Sequence, residues 1–223
     1  MKSHSLMRLF LAYFLFFFSV TSYANQWYHV EMIVFEQLNT ISDERWPIMP
    51  EMENDDDFLT PTMATNKIQP DSIQTLVANA NRLNRSSAYR VHYHQAWQQP
   101  ISKKRQAMPL QIHSENDMVH GSLRLYKSTY LHAAVDLWLV ENKLINTDWT
   151  DIEDEGANIN EIRNPNLTES RRIRSKKLYF FDHPKMGVLL EITPIDTPEA
   201  VQAESDNLET FSLPTEASAT SSE

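Results

Sequence analysis

The chain contains no cysteine. That absence removes disulfides, thiolate metal sites and cysteine nucleophiles together, and a domain without disulfides has to rest on its apolar core alone. Glycine is almost as scarce, with three residues in 223. No glycine-rich phosphate loop is present, which excludes the nucleotide-binding fingerprints, and there is no G-x-S-x-G nucleophile elbow. Basic residues are outnumbered, 20 Lys and Arg against 30 Asp and Glu. Such a balance argues against nucleic acid as a partner, because phosphate neutralisation draws on a surplus of Lys and Arg. Long apolar runs are missing too. Residues 9–20 form an uncharged stretch of 12, well short of the roughly 20 that a membrane-crossing helix needs.

What residues 1–24 do have is the three-part layout of a secretory signal peptide. Lys2 and Arg8 give a positive start, the apolar stretch follows, and Ser22 and Ala24 put small residues where a signal peptidase reads. The expected mature chain begins near Asn25 and is soluble, with no membrane insertion after cleavage and no cysteine to carry a lipid. Cleavage takes away two basic residues and no acidic one, so the mature charge is 18 − 30 = −12. An exported, cysteine-free domain fits a bacterial periplasm.

The remaining length suggests one domain with extras, placed at residues 25–196. Residues 27–37 are rich in β-branched and aromatic side chains and read as a strand. Residues 38–70 read as a long, mostly irregular acidic loop. Ile73, Leu76, Val77, Ala80 and Leu83 make a helical stripe over residues 71–83, with Asp71 or Ser72 as cap. Residues 88–97 read as a strand with Tyr89, Val91, Tyr93 and Gln95 on one side, His92 and His94 on the other. A basic turn, Lys103-Lys104-Arg105, precedes a short strand at 108–113. The clearest pattern is 121–141, where apolar residues alternate as one buried sheet face requires, with a turn near Lys127-Ser128. After a polar, acidic stretch at 142–166 comes a second hairpin, 171–181 and 188–193, around the turn formers Asp182, Pro184 and Gly187. Residues 197–223 carry six acidic residues and no basic ones, and are expected to be a disordered acidic tail. The fold class is therefore α+β, with a mainly antiparallel sheet and one principal helix on its face.

No residue pattern points to a catalytic centre or a cofactor. His92 and His94 at i, i+2 could reach a metal ion from one strand face, but no third ligand stands at recognisable spacing, and none is assigned. His132 and Asp136 lie about 13 Å apart on an extended strand, too far for acid–base coupling. With 30 acidic residues, some carboxylate pair will always match glycosidase spacing, so that criterion nominates nothing. Charge segregation is more informative. Residues 72–114 have six basic residues, three histidines and no acidic residue, and residues 163–185 have seven basic residues against Glu169 and Asp182. Arginine offers a planar fork of donors that matches carboxylates. Aromatic bodies with polar rims suit carbohydrate or peptide ligands. The candidate binding residues are Arg124, Tyr126, Tyr130, His132 and Trp138, on what the alternation makes the opposite face of 121–141, together with Arg172 and Arg174 from the second basic run, which join them if the two stretches lie in neighbouring strands. The same aromatics could instead form a second core layer, and the basic runs could neutralise the acidic loop and tail.

Three blocks together resemble the CsiV family of gammaproteobacterial periplasmic proteins, named for cell shape integrity. They are Trp27-Tyr28-His29-Val30-Glu31-Met32-Ile33-Val34-Phe35, Gly121-Ser122-Leu123-Arg124-Leu125 running on to Tyr130-Leu131-His132 and Asp136-Leu137, and Phe181-Asp182-His183-Pro184-Lys185-Met186-Gly187-Val188-Leu189-Leu190 with Ile192-Thr193-Pro194. The resemblance implies a non-enzymatic protein that binds peptidoglycan. It also implies support of wall synthesis by a penicillin-binding protein through its outer-membrane lipoprotein activator. It transfers no catalytic residue. Two other readings remain open beside it: an interaction factor that holds an envelope protein without touching glycan, and a cell-wall hydrolase.

Overall fold

The computed structural model of the chain describes residues 26–42, 44–50, 59–141 and 163–203. The elements run in the order β1 (Trp27–Gln37), β2 (Gln69–Asp71), α1 (Val77–Arg85), β3 (Tyr89–Pro100), β4 (Leu110–His113), β5 (Val119–Lys127), β6 (Leu131–Leu139), β7 (Asn166–Ile173), β8 (Leu178–His183) and β9 (Met186–Ile195). They build two sheets rather than one, a five-stranded sheet in the order β2-β3-β1-β9-β8 and a four-stranded sheet in the order β4-β5-β6-β7. Every pairing between these strands is antiparallel. The antiparallel expectation holds, and the expectation of a single sheet is corrected. A principal helix is not what organises the fold, since α1 has nine residues.

Both sheets bury one face against the other. Tyr28, Val30, Met32 and Val34 of β1 join Trp97 of β3 and Val188, Leu190 and Ile192 of β9 in one apolar cluster. Leu123 and Leu125 of β5, Val135 and Leu137 of β6 and Leu167 of β7 meet them from the four-stranded sheet. Period-two alternation supplies these residues, as a half-buried strand requires, and each fully buried aliphatic side chain contributes about 1.5–3 kcal/mol. The central strand β1 is buried on its other side too. There Ile33 and Phe35 pack under Leu76 and Ala80 of the helical segment, so 27–35 lack the polar-out alternation of β6.

Three sequence expectations are displaced here for physical reasons. The helix begins at Val77, not near Asp71, because Asp71 is held in the sheet by β2–β3 pairing with Ala96 and accepts the Ile73 N–H on its own carboxylate. Ile73 and Val77 are consequently exposed, and Leu76 and Ala80 are buried. The segment 171–181 is not one strand. The chain leaves the four-stranded sheet after Ile173, passes Lys176 at φ 59° and enters the five-stranded sheet at Leu178. The second hairpin, β8–β9, then pairs with the N-terminal strand through β9. Within 38–70 the chain is less irregular than its composition suggests: Ile68 is fully buried and Ile48 bridges to Arg163.

Residues 199–203 of the expected disordered tail are helical, with the N–H groups of Val201 and Gln202 donating to the Pro198 carbonyl. Residues 1–25 (the expected signal peptide), 51–58 (the triple Asp), 142–162 and 204–223 lie outside the described residues. Among those described, no helix is long and apolar enough to cross a membrane.

Candidate functional site

The outer face of the four-stranded sheet gathers most of the sequence-nominated residues. Across β5, β6 and β7, Tyr126 stands opposite His132 and His132 opposite Arg172, so three side chains form one row. One step along, Arg124 pairs with Ala134, and Trp138 lies further up the same face of β6, opposite His120. The rings of Tyr126 and His132 are stacked, 5.0 Å between centroids and 4° between planes. Lys104 Nζ sits 5.4 Å from the Tyr126 centroid. Tyr130, in the β5–β6 turn, is about half exposed and carries the Arg172 guanidinium 3.1 Å above its ring. A cation over an exposed aromatic face contributes about 0.5–1 kcal/mol, enough to orient the side chain without consuming its donors.

The row is not uniformly open. Tyr126 and Trp138 are each 8% exposed, which corrects their reading as contact residues: they form the floor. Arg124 is also committed, donating from Nε to the Ala107 carbonyl at 2.9 Å and from Nη2 to the Lys104 carbonyl at 2.6 Å. Its guanidinium fastens the basic turn to the sheet. Arg174 is exposed just past the end of β7, and its backbone N–H donates to the Tyr179 hydroxyl. Tyr130, Arg172 and Arg174 are thus the accessible members, with His132 half-buried between them. Asp136 shares the face but accepts from Asn166 and Thr168, with no link to His132.

A cleft of about 450 Å³ opens beyond the turn that Arg124 holds, lined by Asn66, Lys67, Gln99, Gln106, Met108 and Leu125 among others. Small-ligand sites span roughly 300–1,000 Å³. Sequence reasoning missed it, because its walls come from four separated segments.

A second polar site lies on the far face of the five-stranded sheet and was also missed. Glu31 is fully buried, and its carboxylate accepts from the Thr75 N–H and hydroxyl at 2.6 Å each, from the Leu76 N–H at 2.9 Å and from His94 Nε2 at 2.7 Å. Beside it, His29 Nδ1 bonds Asp71 at 2.9 Å, and Gln98 donates to the same oxygen. Burial pushes the Glu31 carboxyl up, but hydrogen bonds from Thr75, His94 and the Leu76 N–H outweigh it and leave its pKa below the ordinary value. Asp71 is lowered in the same way, burial being overcome by Gln98, the Ile73 N–H and His29. The Thr75 hydroxyl donates to Glu31, which ties the carboxylate to the segment before α1. The cluster holds the start of α1 on β1. The signal for it was a Glu and a His inside an otherwise apolar strand.

His92 and His94 take different hydrogen-bond partners. The β1–β3 register slips between Val34 and Phe35, leaving His92 as the extra residue of a β-bulge, which reorients side chains locally. His94 meets Glu31, whereas His92 meets Glu36 and Asn116.

Fold and face together define a two-sheet antiparallel β protein with an arginine and aromatic surface on its smaller sheet. The chain belongs to the CsiV family: the family model described as "Peptidoglycan-binding protein, CsiV" matches residues 6–195. Comparison with curated proteins and with solved structures finds no match.

Proposed function

We propose that this chain is a non-enzymatic peptidoglycan-binding protein of the bacterial periplasm. The observation that carries the reading is family membership over residues 6–195. The outer face of the four-stranded sheet supports it in chemical terms. Peptidoglycan presents stem-peptide carboxylates beside amino sugars, and Arg172 and Arg174 offer free guanidinium donors for the former while Tyr130 and His132 offer ring surface for the latter. The finer role, support of wall synthesis by a penicillin-binding protein through its outer-membrane lipoprotein activator, rests on the family resemblance alone. Co-sedimentation of the purified protein with isolated sacculi, across a salt series, tests the reading. Retention that weakens as salt rises is expected. No retention at any salt contradicts direct wall recognition.

One observation favours a second reading, an interaction factor that grips an envelope protein. Leu178 and Phe180 of the edge strand β8 are each 45% exposed, and an apolar pair on a sheet edge suits a protein partner better than a glycan. A protein that co-purifies and stays bound after muramidase digestion of the wall would favour it.

A further inference from the structure

We propose that the end of the β4–β5 hairpin binds a divalent d-block cation, of the zinc or copper type, between Nδ1 of His113 and Nδ1 of His120. The two histidines are direct cross-strand partners, so the sheet itself sets their spacing. Their Nδ1 atoms lie 3.1 Å apart, with the rings at 79° to one another.

The hydrogen-bond arrangement makes that contact unusual. His113 Nε2 is 2.8 Å from the Asp117 carboxylate, and His120 Nε2 is 2.9 Å from the Asp117 backbone carbonyl. Both partners are acceptors only, so each Nε2 must carry its ring's proton. In neutral rings this leaves two bare Nδ1 lone pairs face to face. Such a contact is satisfied by a cation between them, either a proton in an Nδ1–H···Nδ1 hydrogen bond or a metal ion bonded to both nitrogens. Metal–imidazole bonds are about 2.0–2.1 Å, and two nitrogens 3.1 Å apart both reach one ion at that length with an N–metal–N angle of roughly 98°, near tetrahedral. Asp117 then plays the outer-shell part typical of such sites, fixing tautomer and ring orientation through the second nitrogens.

The hairpin holds this geometry through its own contacts. Asp117 sits at φ 57°, a conformation Asp tolerates, with its N–H donating to the Ser114 carbonyl at 3.0 Å. Buried Ser114 accepts the Val119 N–H on its hydroxyl at 2.8 Å. His113 and Asp117 remain exposed, so the other coordination positions open to solvent. Imidazole nitrogens select zinc, copper or nickel over calcium and magnesium, which take oxygen ligands.

Isothermal titration calorimetry of the purified, chelator-stripped protein with ZnCl2 and CuCl2, and with MgCl2 as control, tests this. One saturable site for zinc or copper and none for magnesium is expected. Binding is lost in His113→Ala and in His120→Ala, and falls about 10–100-fold in Asp117→Asn, the cost of a weakened outer shell. These positions are outside the core, and unchanged circular dichroism of each variant checks that it is folded. No saturable zinc or copper binding by the intact protein overturns the proposal. So does binding that survives in both alanine variants, which would place the ion on other histidines.

Discussion

Glu31 shows how one residue joins sheet to helix. Its carboxylate takes four donors in a site with no solvent exposure. Glu31→Ala strands those donors and is expected to cost about 3–5 kcal/mol, as removal of one partner from a buried charged network does, read as a lower urea midpoint. The pH dependence follows from the same groups. Glu31 and Asp71 have pKa values lowered by folding, so their stabilisation is fully present above the ordinary carboxylate range. It is lost as pH falls through that range towards the folded values. Stability measured from pH 6 to pH 3 is expected to fall, and Glu31→Gln is expected to flatten the slope. Gly187 is a second residue of this kind. A Cβ there would stand 2.4 Å from Phe35 Cζ and 2.7 Å from Phe180 Cε2, because those rings stack across it, 6.1 Å between centroids. Gly187→Ala is expected to destabilise by about 1–3 kcal/mol, and Phe35→Leu in the same chain to recover part of the loss. A shortage of glycine in the sequence thus concealed how tightly a glycine is used.

At the scale of elements, what the sequence disclosed depended on whether a pattern was local. The β5–β6 hairpin was legible because Leu123, Leu125, Val135 and Leu137 alternate on one buried face with no other influence. β1 was legible as a strand, but its burial on both faces depends on α1, which contacts it only in the folded chain. The helix start was misplaced because its first donors are taken by Glu31, more than 40 residues earlier, and not by Asp71 or Ser72. The bulge at His92 leaves no mark in composition, so the histidine pair read as one face takes different partners. Of the candidate site, the alternation placed Arg124, Tyr126, His132 and Trp138 on one face correctly. It could not tell that the tyrosine and tryptophan lie under their neighbours or that Arg124 serves the 103–107 turn. Arg124→Met keeps the aliphatic stem and removes both guanidinium bonds, each worth about 1.5–3 kcal/mol to a charged donor. Faster hydrogen exchange in that turn is expected, with β6 and β7 protected as before.

For the whole molecule, two antiparallel sheets share one core and present different outer surfaces. The five-stranded sheet spends its outer face on α1 and the Glu31 cluster, while the four-stranded sheet leaves Arg172 accessible, with Tyr130 in its β5–β6 turn and Arg174 just past the end of β7, on a chain with a formal charge of −10. The central claim is that this second face recognises peptidoglycan. It is tested most directly by co-sedimentation with sacculi of Arg172→Glu/Arg174→Glu, compared with Arg82→Glu/Arg85→Glu on α1, which makes the same charge change on the other sheet. The account predicts that the first variant loses most of its retention and most of its salt dependence, while the second retains both. Equal loss in the two variants, or no loss in either, would contradict it.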